Sequence, residues 1–229
     1  MNRKLPRRLS LDGYLEVLSH EAIVTSRYKD SVGVWTISVG HTKAAGGVDP
    51  AKVTRTLSLD ECLDIFIEDV PKYERAVHRL VTASMTQMEF DAWFSFVFNT
   101  GGGRPATCIK KFNAGDKAGA IKSIMAWKKP PEIIGRRKKE RDLLAGKGYS
   151  HDGKVSVYPA TKGGAVQWGS GKRIDARRIL HGKLLVGAPS DPVEAPPPPD
   201  IETPDKPSAV RSGGLWAWLF SLFNAWRKS

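Results

Sequence analysis

A change of hydrophobic period within the first forty residues constrains the fold most strongly. Apolar residues recur at helical spacing from about residue 11, which predicts an amphipathic helix containing Leu11, Leu15, Leu18 and Ala22. From Val34, apolar side chains alternate with small or polar ones, as in a half-buried strand. Gly33 comes just before this alternation and predicts a turn. The chain is therefore expected to pass from a helix through a glycine turn into a strand.

Two carboxylates and a threonine are spaced along this helix, turn and strand. Glu21 is expected near the C-terminal end of the helix, Asp30 at the entry to the turn, and Thr36 on the strand face that carries small residues. Glycoside hydrolysis needs two carboxyl groups that flank one bond. The negative end of the helix dipole favours a neutral Glu21, as a general acid requires. Solvated acids on a helix and in a turn are the ordinary alternative.

The longer string from residue 21 to residue 42 is more specific. It resembles the signature of the phage lysozyme (endolysin) family, glycoside hydrolase family 24: Glu-Gly, then Tyr-x-Asp-x-x-Gly-x-x-Thr-Ile-Gly-x-Gly-His-Thr. The matching positions are Glu21, Tyr28, Asp30, Gly33, Thr36, Ile37, Gly40, His41 and Thr42. The chain departs from the signature at Ala22 and Ser38, where the family usually has glycine. Neither position is catalytic, but Ser38 is expected to narrow the cleft slightly.

The resemblance continues downstream and covers about residues 10–148, and more weakly residues up to about 178. An apolar helix over residues 88–101 opens with the capping box of Thr86 and Glu89. Gly115 is expected to end one helix and Asp116 to cap another. The implied fold is α+β and lysozyme-like: mostly helical, with a small N-terminal β-hairpin sheet lining the active-site cleft and a C-terminal β-hairpin extension.

The resemblance also implies an activity and roles for the site residues. The expected enzyme is a lysozyme that hydrolyses the β-1,4 bond between N-acetylmuramic acid and N-acetylglucosamine in peptidoglycan. Glu21 would be the general acid, Asp30 the base or electrostatic partner, and Thr36 the residue that positions water with Asp30. An inverting displacement is favoured by the resemblance.

Further site residues are expected around these three. Thr42, Phe98 and Asn99 are predicted to line the sugar subsites, with a core position as the alternative for Phe98. In the resembled family an arginine of the closing helix contacts the acid, so Arg136 or Arg137 should contact Glu21. The family histidine pairs with an aspartate, which here predicts a contact between His41 and Asp69.

The expected domains are a catalytic domain at residues 1–182, a Pro-rich linker at residues 183–214 and an aromatic tail at residues 215–229. Within the first, the core spans residues 10–148 and a small β extension spans residues 149–178, with strands predicted near residues 153–159 and 165–168. Residues 215–228 contain three tryptophans and a basic end, which suits a membrane surface. Docking of the tail on the core or on another copy is the alternative.

Composition limits the other partners. The chain has 229 residues and a net charge of +12, which favours anionic partners. No nucleic-acid module accompanies the charge, so nucleic acid is not expected as a partner. The basic run at residues 136–141 either forms a solvated face or attracts anionic glycans.

No cofactor or metal is expected, because the histidines are scattered. Cys62 and Cys108 are expected as buried thiols, with one disulfide as the alternative.

Three functions from different classes follow from these patterns. The favoured one is the peptidoglycan hydrolase; the others are a membrane-active lysis protein that acts through its aromatic tail and a catalytically dead wall-binding module. The intact Glu21, Asp30 and Thr36 argue against the last.

No apolar signal segment is evident at the N-terminus. A monomer is expected in the host cytoplasm and then, after release through a holin, in the periplasm and cell wall.

Overall fold

The computed structural model describes residues 6–102 and 106–186. Helix α1 (Leu11–His20) is followed by strands β1 (Ala22–Lys29), β2 (Trp35–Ser38) and β3 (His41–Thr42). Five helices come next: α2 (Leu59–Leu80), α3 (Gln87–Thr100), α4 (Thr107–Asn113), α5 (Lys117–Ser123) and α6 (Ile134–Leu144). Strands β4 (Lys154–Tyr158) and β5 (Lys172–Asp175) and helix α7 (Arg177–Val186) complete the fold. The expected α+β, lysozyme-like class is confirmed.

Helix α1 ends earlier than its hydrophobic spacing predicts. Ser10 caps its start by accepting a hydrogen bond from the Gly13 amide, and Glu21 is the C-cap residue with extended φ and ψ angles. Ala22 is the first residue of β1, so its place in the predicted helix is wrong. Its spacing from Leu18 is compatible with a helix, but pairing of β1 with two other strands overrides this local preference.

The five strands form one sheet in the order β3-β2-β1-β4-β5. Strands β1, β2 and β3 are antiparallel neighbours and form the expected N-terminal sheet, with Gly33 at a φ of 83° in the turn. Strand β4 lies parallel to β1, with Ala22 opposite Ser156. The C-terminal extension therefore widens the N-terminal sheet instead of forming a separate hairpin.

Ser38 lies in the interior and does not narrow the cleft, so that expectation is wrong. Its side chain is fully buried, and its hydroxyl donates a 2.6 Å hydrogen bond to the carbonyl oxygen of Cys62. Its φ of 58° is in the left-handed region, which glycine adopts without a steric penalty. This conformation explains why the family signature has glycine at the position.

Helices α2 and α3 begin with complete capping boxes, at Ser58 with Glu61 and at Thr86 with Glu89. Helix α3 packs against α1, α2 and α6 and carries the centre of the core. Its fully buried aromatic side chains are Phe90, Trp93, Phe94 and Phe96. As predicted, Asp116 caps α5 by accepting a hydrogen bond from the Gly119 amide.

The extension differs in detail from its prediction. Strand β4 matches the first predicted strand, but residues 165–168 form only an isolated bridge between Val166 and Ala160. The antiparallel partner of β4 is instead β5, with Lys154 opposite Asp175. Helix α7 was not predicted, and it continues to residue 186, beyond the expected start of the linker at residue 183.

Several remaining features complete the description. Cys62 and Cys108 are both buried and free. Within residues 6–102 and 106–186, no helix is long and apolar enough to cross a membrane. The aromatic tail at residues 215–229 and nearly all of the predicted linker lie outside the described residues.

Candidate active site

Glu21 lies where α1 gives way to the sheet. As the C-cap residue it leaves the helix just before β1, and its side chain is 1% exposed. The guanidinium of Arg136 on α6 donates from Nη1 to Glu21 Oε1. In the described part of the chain, Glu21 Oε2 has no hydrogen-bond partner. Arg136 thus holds one carboxylate oxygen, and the other is a buried atom without a partner among the described residues.

Arg136 is the arginine that contacts the acid, as one of the two was expected to do. It also donates from Nε to Glu140 Oε1 at 2.9 Å and from Nη2 to the carbonyl oxygen of Ser95 at 3.0 Å. These contacts with α3 and with its own helix fix the guanidinium plane. Arg136 therefore presents Nη1 to Glu21 in one orientation.

Arg137 is directed elsewhere, although it is the next residue. It donates from Nη2 to Asn99 Oδ1 at 2.8 Å and to Glu140 Oε1 at 2.9 Å, and its guanidinium carbon lies 5.0 Å from the centre of the Phe96 ring. Consecutive helical residues point about 100° apart, because a turn takes 3.6 residues. Arg136 consequently faces Glu21, while Arg137 supports Glu140 and α3.

Burial is the largest influence on the acid. Burial raises the pKa of Glu21, while the charge and hydrogen bond of Arg136 lower it, and the net direction is upward. The helix end that the sequence suggested as the cause is present, but removal from water dominates. A raised pKa keeps Glu21 protonated at a higher pH than a solvated glutamate, which suits a general acid.

Asp30 is held by the turn that joins β1 to β2. Its Oδ1 accepts hydrogen bonds of 2.9 Å from the amides of Val32 and Val34. The side chain is mostly buried, and within the described residues Oδ2 has no hydrogen-bond partner. Asp30 thus resembles Glu21 in having one anchored oxygen and one buried oxygen that the described residues leave unpaired.

Thr36 is linked to Asp30 through one residue. Its hydroxyl donates to the carbonyl oxygen of Val34 at 3.1 Å, and the amide of Val34 donates to Asp30. This donation leaves the lone pairs of the hydroxyl oxygen as acceptors. Thr36 also lies opposite Tyr28 on β1 and Thr42 on β3, which places all three in one row across the sheet.

Glu21 and Asp30 both affect the pKa of Tyr28. Burial raises the pKa of the Tyr28 phenol, and the negative charges of Glu21 and Asp30 raise it further. Tyr28 is fully buried on β1, and its raised pKa keeps the phenol neutral. The motif contained Tyr28, but the sequence reasoning gave it no role.

The predicted subsite residues have different positions. Thr42 is half-buried at the end of the sheet. Phe98 is 4% exposed and packs against Phe66 and Tyr73 with ring centres 5.7 and 4.6 Å away, which favours the core alternative over a sugar contact. Asn99 is buried, and its side-chain oxygen accepts the hydrogen bond that positions Arg137.

The expected pair of His41 and Asp69 is present. His41 Nδ1 lies 2.9 Å from Asp69 Oδ2 on α2, and Nε2 lies 2.8 Å from the carbonyl oxygen of Val48. Burial lowers the pKa of His41, but the hydrogen bonds to Asp69 and Val48 outweigh it, so the net shift is upward. The pair fastens β3 to α2 at the base of the sheet.

Sequence reasoning missed a buried acid behind the site. Glu16, one turn before His20, is 1% exposed and accepts hydrogen bonds from the amides of Ser150 at 2.7 Å and His151 at 3.1 Å. His20 Nε2 lies 3.4 Å from Glu16 Oε1. Burial raises the pKa of Glu16, but the hydrogen bonds from His20 and Ser150 outweigh it and lower the pKa to about 2.

A second missed acid fixes the start of α1. Asp91 lies inside the apolar run of α3 and accepts hydrogen bonds from the Ser10 amide at 3.3 Å and the Tyr149 hydroxyl at 2.7 Å. A detectable signal existed for both acids, because Glu16 and Asp91 each stand between apolar neighbours in a helix. A carboxylate in such a position is buried only when it is paired.

Comparison with known proteins agrees with this geometry. The family model described as phage lysozyme matches residues 18–140. The endolysin of Salmonella phage P22 is 31% identical over 145 residues, which cover 60% of this chain and 97% of that protein. The SAR-endolysin of Escherichia phage Mu is 36% identical over 109 residues, which cover 47% of this chain and 60% of that protein.

Solved structures give the same result. A variant of P22 lysozyme superposes with a TM-score of 0.55 at 27% identity, covering 61% of this chain and 99% of that one. The endolysin from Escherichia coli O157:H7 phage FAHEc1 superposes with a TM-score of 0.56 at 28% identity, covering 63% of this chain and 97% of that one. The match spans the elements that position Glu21, Asp30, Thr36 and Arg136, and the chain therefore belongs to the phage lysozyme family.

Proposed function

We propose that this phage lysozyme acts as an N-acetylmuramidase: it cleaves the β-1,4 bond between N-acetylmuramic acid and N-acetylglucosamine in peptidoglycan and so lyses the host cell. The observation that carries the proposal is the pair of half-anchored carboxylates. Glu21 is buried, tethered by Arg136 and raised in pKa, and Asp30 is fixed by two backbone amides. Two carboxyl groups in different environments are what glycoside hydrolysis requires.

Glu21 is the general acid in this proposal. It donates its proton to the oxygen that links the two sugars as that bond breaks. Burial favours the protonated form before the reaction, and the guanidinium of Arg136 stabilises the carboxylate that remains after it. The two effects oppose each other, so the pair can give up a proton without leaving an isolated buried charge.

Asp30 and Thr36 act on the water. Asp30 Oδ2 accepts a proton from the attacking water or stabilises the positive charge that develops on the sugar. The Thr36 hydroxyl oxygen, whose proton is donated to Val34, accepts a second hydrogen bond from the same water. Because Asp30 and Thr36 both bind the backbone of Val34, one residue sets their spacing.

The cell wall is the proposed place of action, with release through a holin pore as the proposed route. Relatives named endolysin and relatives named SAR-endolysin both match this chain. The membrane-active alternative concerns the tail at residues 215–228, beyond the described residues, and it stays a prediction.

The chemical identity of the products tests the proposal. Purified sacculi are digested, the new reducing ends are reduced with borohydride, and the fragments are analysed by mass spectrometry. A muramidase leaves reduced N-acetylmuramic acid at each new end. Fragments that end in reduced N-acetylglucosamine, or cleavage of a peptide or amide bond instead, would contradict the assignment. In a separate digest that is not reduced, NMR of the anomer formed first distinguishes an inverting from a retaining displacement.

A further inference from the structure

A pocket of about 530 Å³ lies beside the active-site elements, between the end of α1, helix α6 and strands β4 and β5. Its cationic lining comes from three different elements: Lys139 on α6, Lys154 on β4 and Lys172 on β5. The match to the family model ends at residue 140, so two of these three lysines belong to the C-terminal extension. The pocket is therefore a feature that the extension adds to the lysozyme core.

The charge of this pocket is largely uncompensated. Arg173 and Asp152, which also line it, pair with each other at 2.8 and 3.0 Å and offset one another. Lys139, Lys154 and Lys172 are all exposed, and among the residues with described positions none of the three pairs with a carboxylate. Three ammonium groups around one concave surface give it a positive potential that attracts an anion.

The walls of the pocket are held in place. The amides of Ser150 and His151 donate to the buried Glu16, and Ser156 on β4 lies opposite Arg173 on β5 in the sheet. The side chain of His151 is 5% exposed, so it forms a solid part of the lining. A ligand would meet a prearranged surface, which lowers the entropy cost of binding.

The pocket also adjoins the segments that hold the acid. Ser19, which lines it, comes two residues before Glu21. Ser156, also in the lining, lies opposite Ala22 in the sheet. Lys139 immediately precedes Glu140, which is bonded to Arg136. The pocket therefore adjoins the segments that carry Glu21 and its partner Arg136.

We infer that the pocket binds a carboxylate on the peptide stem of the glycan strand being cut, an inference that rests on the proposed function. Peptidoglycan carries free carboxylates on its stem peptides. The lysine ammonium attracts a carboxylate as a compact charge on a flexible side chain, and it does not require the fixed bidentate geometry of an arginine guanidinium. Trp168, packed on Tyr158 with ring centres 5.1 Å apart, adds an aromatic wall for the apolar part of a peptide or sugar. A phosphate would be attracted by the same lysines.

The test compares two double variants of the full chain that each remove two positive charges. K154Q/K172Q changes the pocket, and K110Q/K122Q changes exposed lysines on α4 and α5 as the control. Binding to native sacculi is measured by co-sedimentation with Glu21→Gln present in both, so that cleavage does not interfere. The same measurement uses sacculi whose carboxyl groups have been amidated, and separately vesicles of phosphatidylglycerol.

K154Q/K172Q should weaken binding to native sacculi by about threefold to tenfold, the range expected for two exposed ion pairs. The control should bind like the parent, and all proteins should bind amidated sacculi equally. In the active background, KM should rise while kcat is kept. If K154Q/K172Q does not fold, Lys139→Gln on the exposed face of α6 tests the same pocket.

Equal binding of both double variants to native sacculi would overturn the pocket assignment. An undiminished defect on amidated sacculi, or a defect confined to the phospholipid vesicles, would overturn the carboxylate as its ligand. Failure of the proposed function is a separate outcome, because an inactive parent with intact, pocket-dependent binding would contradict the hydrolase and not the pocket.

Discussion

Replacing Arg136 with alanine should separate the two opposing influences on Glu21. The guanidinium lowers the pKa of Glu21, whereas burial raises it. Without Arg136, burial is opposed only by the weaker effect of the Arg137 charge, and the pKa of Glu21 rises further. The protonated acid then persists to higher pH. The basic limb of the kcat/KM profile on sacculi should therefore move toward higher pH.

The same substitution should reduce stability by a magnitude that the contacts define. Arg136 donates to Glu21, to Glu140 and to the carbonyl oxygen of Ser95. Breaking a buried ion pair by removing one partner costs about 3–5 kcal/mol. The lower end of that range is expected, because Glu140 keeps the Ser95 hydroxyl at 2.7 Å and Arg137 at 2.9 Å.

The loss should depend on pH with a defined sign. An acid whose pKa is raised in the folded state binds protons more tightly there than in the unfolded chain. Its stabilising effect is complete below the unfolded value of 4.5 and disappears as pH rises through the folded value. Urea unfolding of Arg136→Ala should therefore show a smaller deficit below pH 4.5 than near neutrality.

Arg137→Ala is the matched control, because its guanidinium contacts Asn99 and Glu140 and not Glu21. It should also lose stability, but its basic limb should move less than that of Arg136→Ala. An unchanged basic limb in Arg136→Ala, or an equal movement in both variants, would refute this reasoning about how Glu21 is tuned.

Three further substitutions test other parts of the account. Asp69→Asn should remove the upward pKa shift of His41. A raised histidine pKa stabilises the fold below pH 6.5, and this stabilisation is lost as pH rises through the pKa of the folded state. Urea unfolding of the variant should therefore show the largest loss of stability in acid and a smaller loss in alkali. Phe98→Ala should cost about 3–5 kcal/mol in urea unfolding with KM unchanged, because the ring lies in the core; a raised KM with little loss of stability would instead support the subsite role. Ser38→Ala should lose about 1 kcal/mol by giving up its hydrogen bond to Cys62, with full activity on sacculi; lower activity with unchanged stability would return Ser38 to the cleft.

Local signals in the sequence predicted the parts of the fold that depend on nearby residues. The capping box at Thr86, the turn at Gly33 and the cap at Asp116 each rest on contacts within four residues, and all three were predicted. The place of Ala22 in β1 was not predicted, because this end of the strand pairs with β4, more than a hundred residues away. Non-local pairing of this kind overrides the helical spacing that Ala22 shares with Leu18.

The candidate site shows the same division. The motif located Glu21, Asp30 and Thr36, but periodicity does not distinguish Arg136 from Arg137 as the contact of Glu21. That choice depends on how α6 is rotated against α3, which Ser95 and Asn99 fix from the other helix. The pocket formed by the extension was likewise missed, because Lys139 on α6 and Lys154 and Lys172 on the strands come together only in the folded chain.

The central claim, that Glu21 is the general acid, is tested most directly by Glu21→Gln. Release of reducing ends from sacculi is measured beside co-sedimentation with the same sacculi, and Glu68→Gln on the exposed face of α2 serves as the control for loss of one carboxylate. The account predicts that Glu21→Gln loses about 10²–10⁴ in turnover, the contribution of a general acid, while binding and the urea transition stay near those of the control. Turnover within a few-fold of the control, in a folded variant that still binds sacculi, would contradict it.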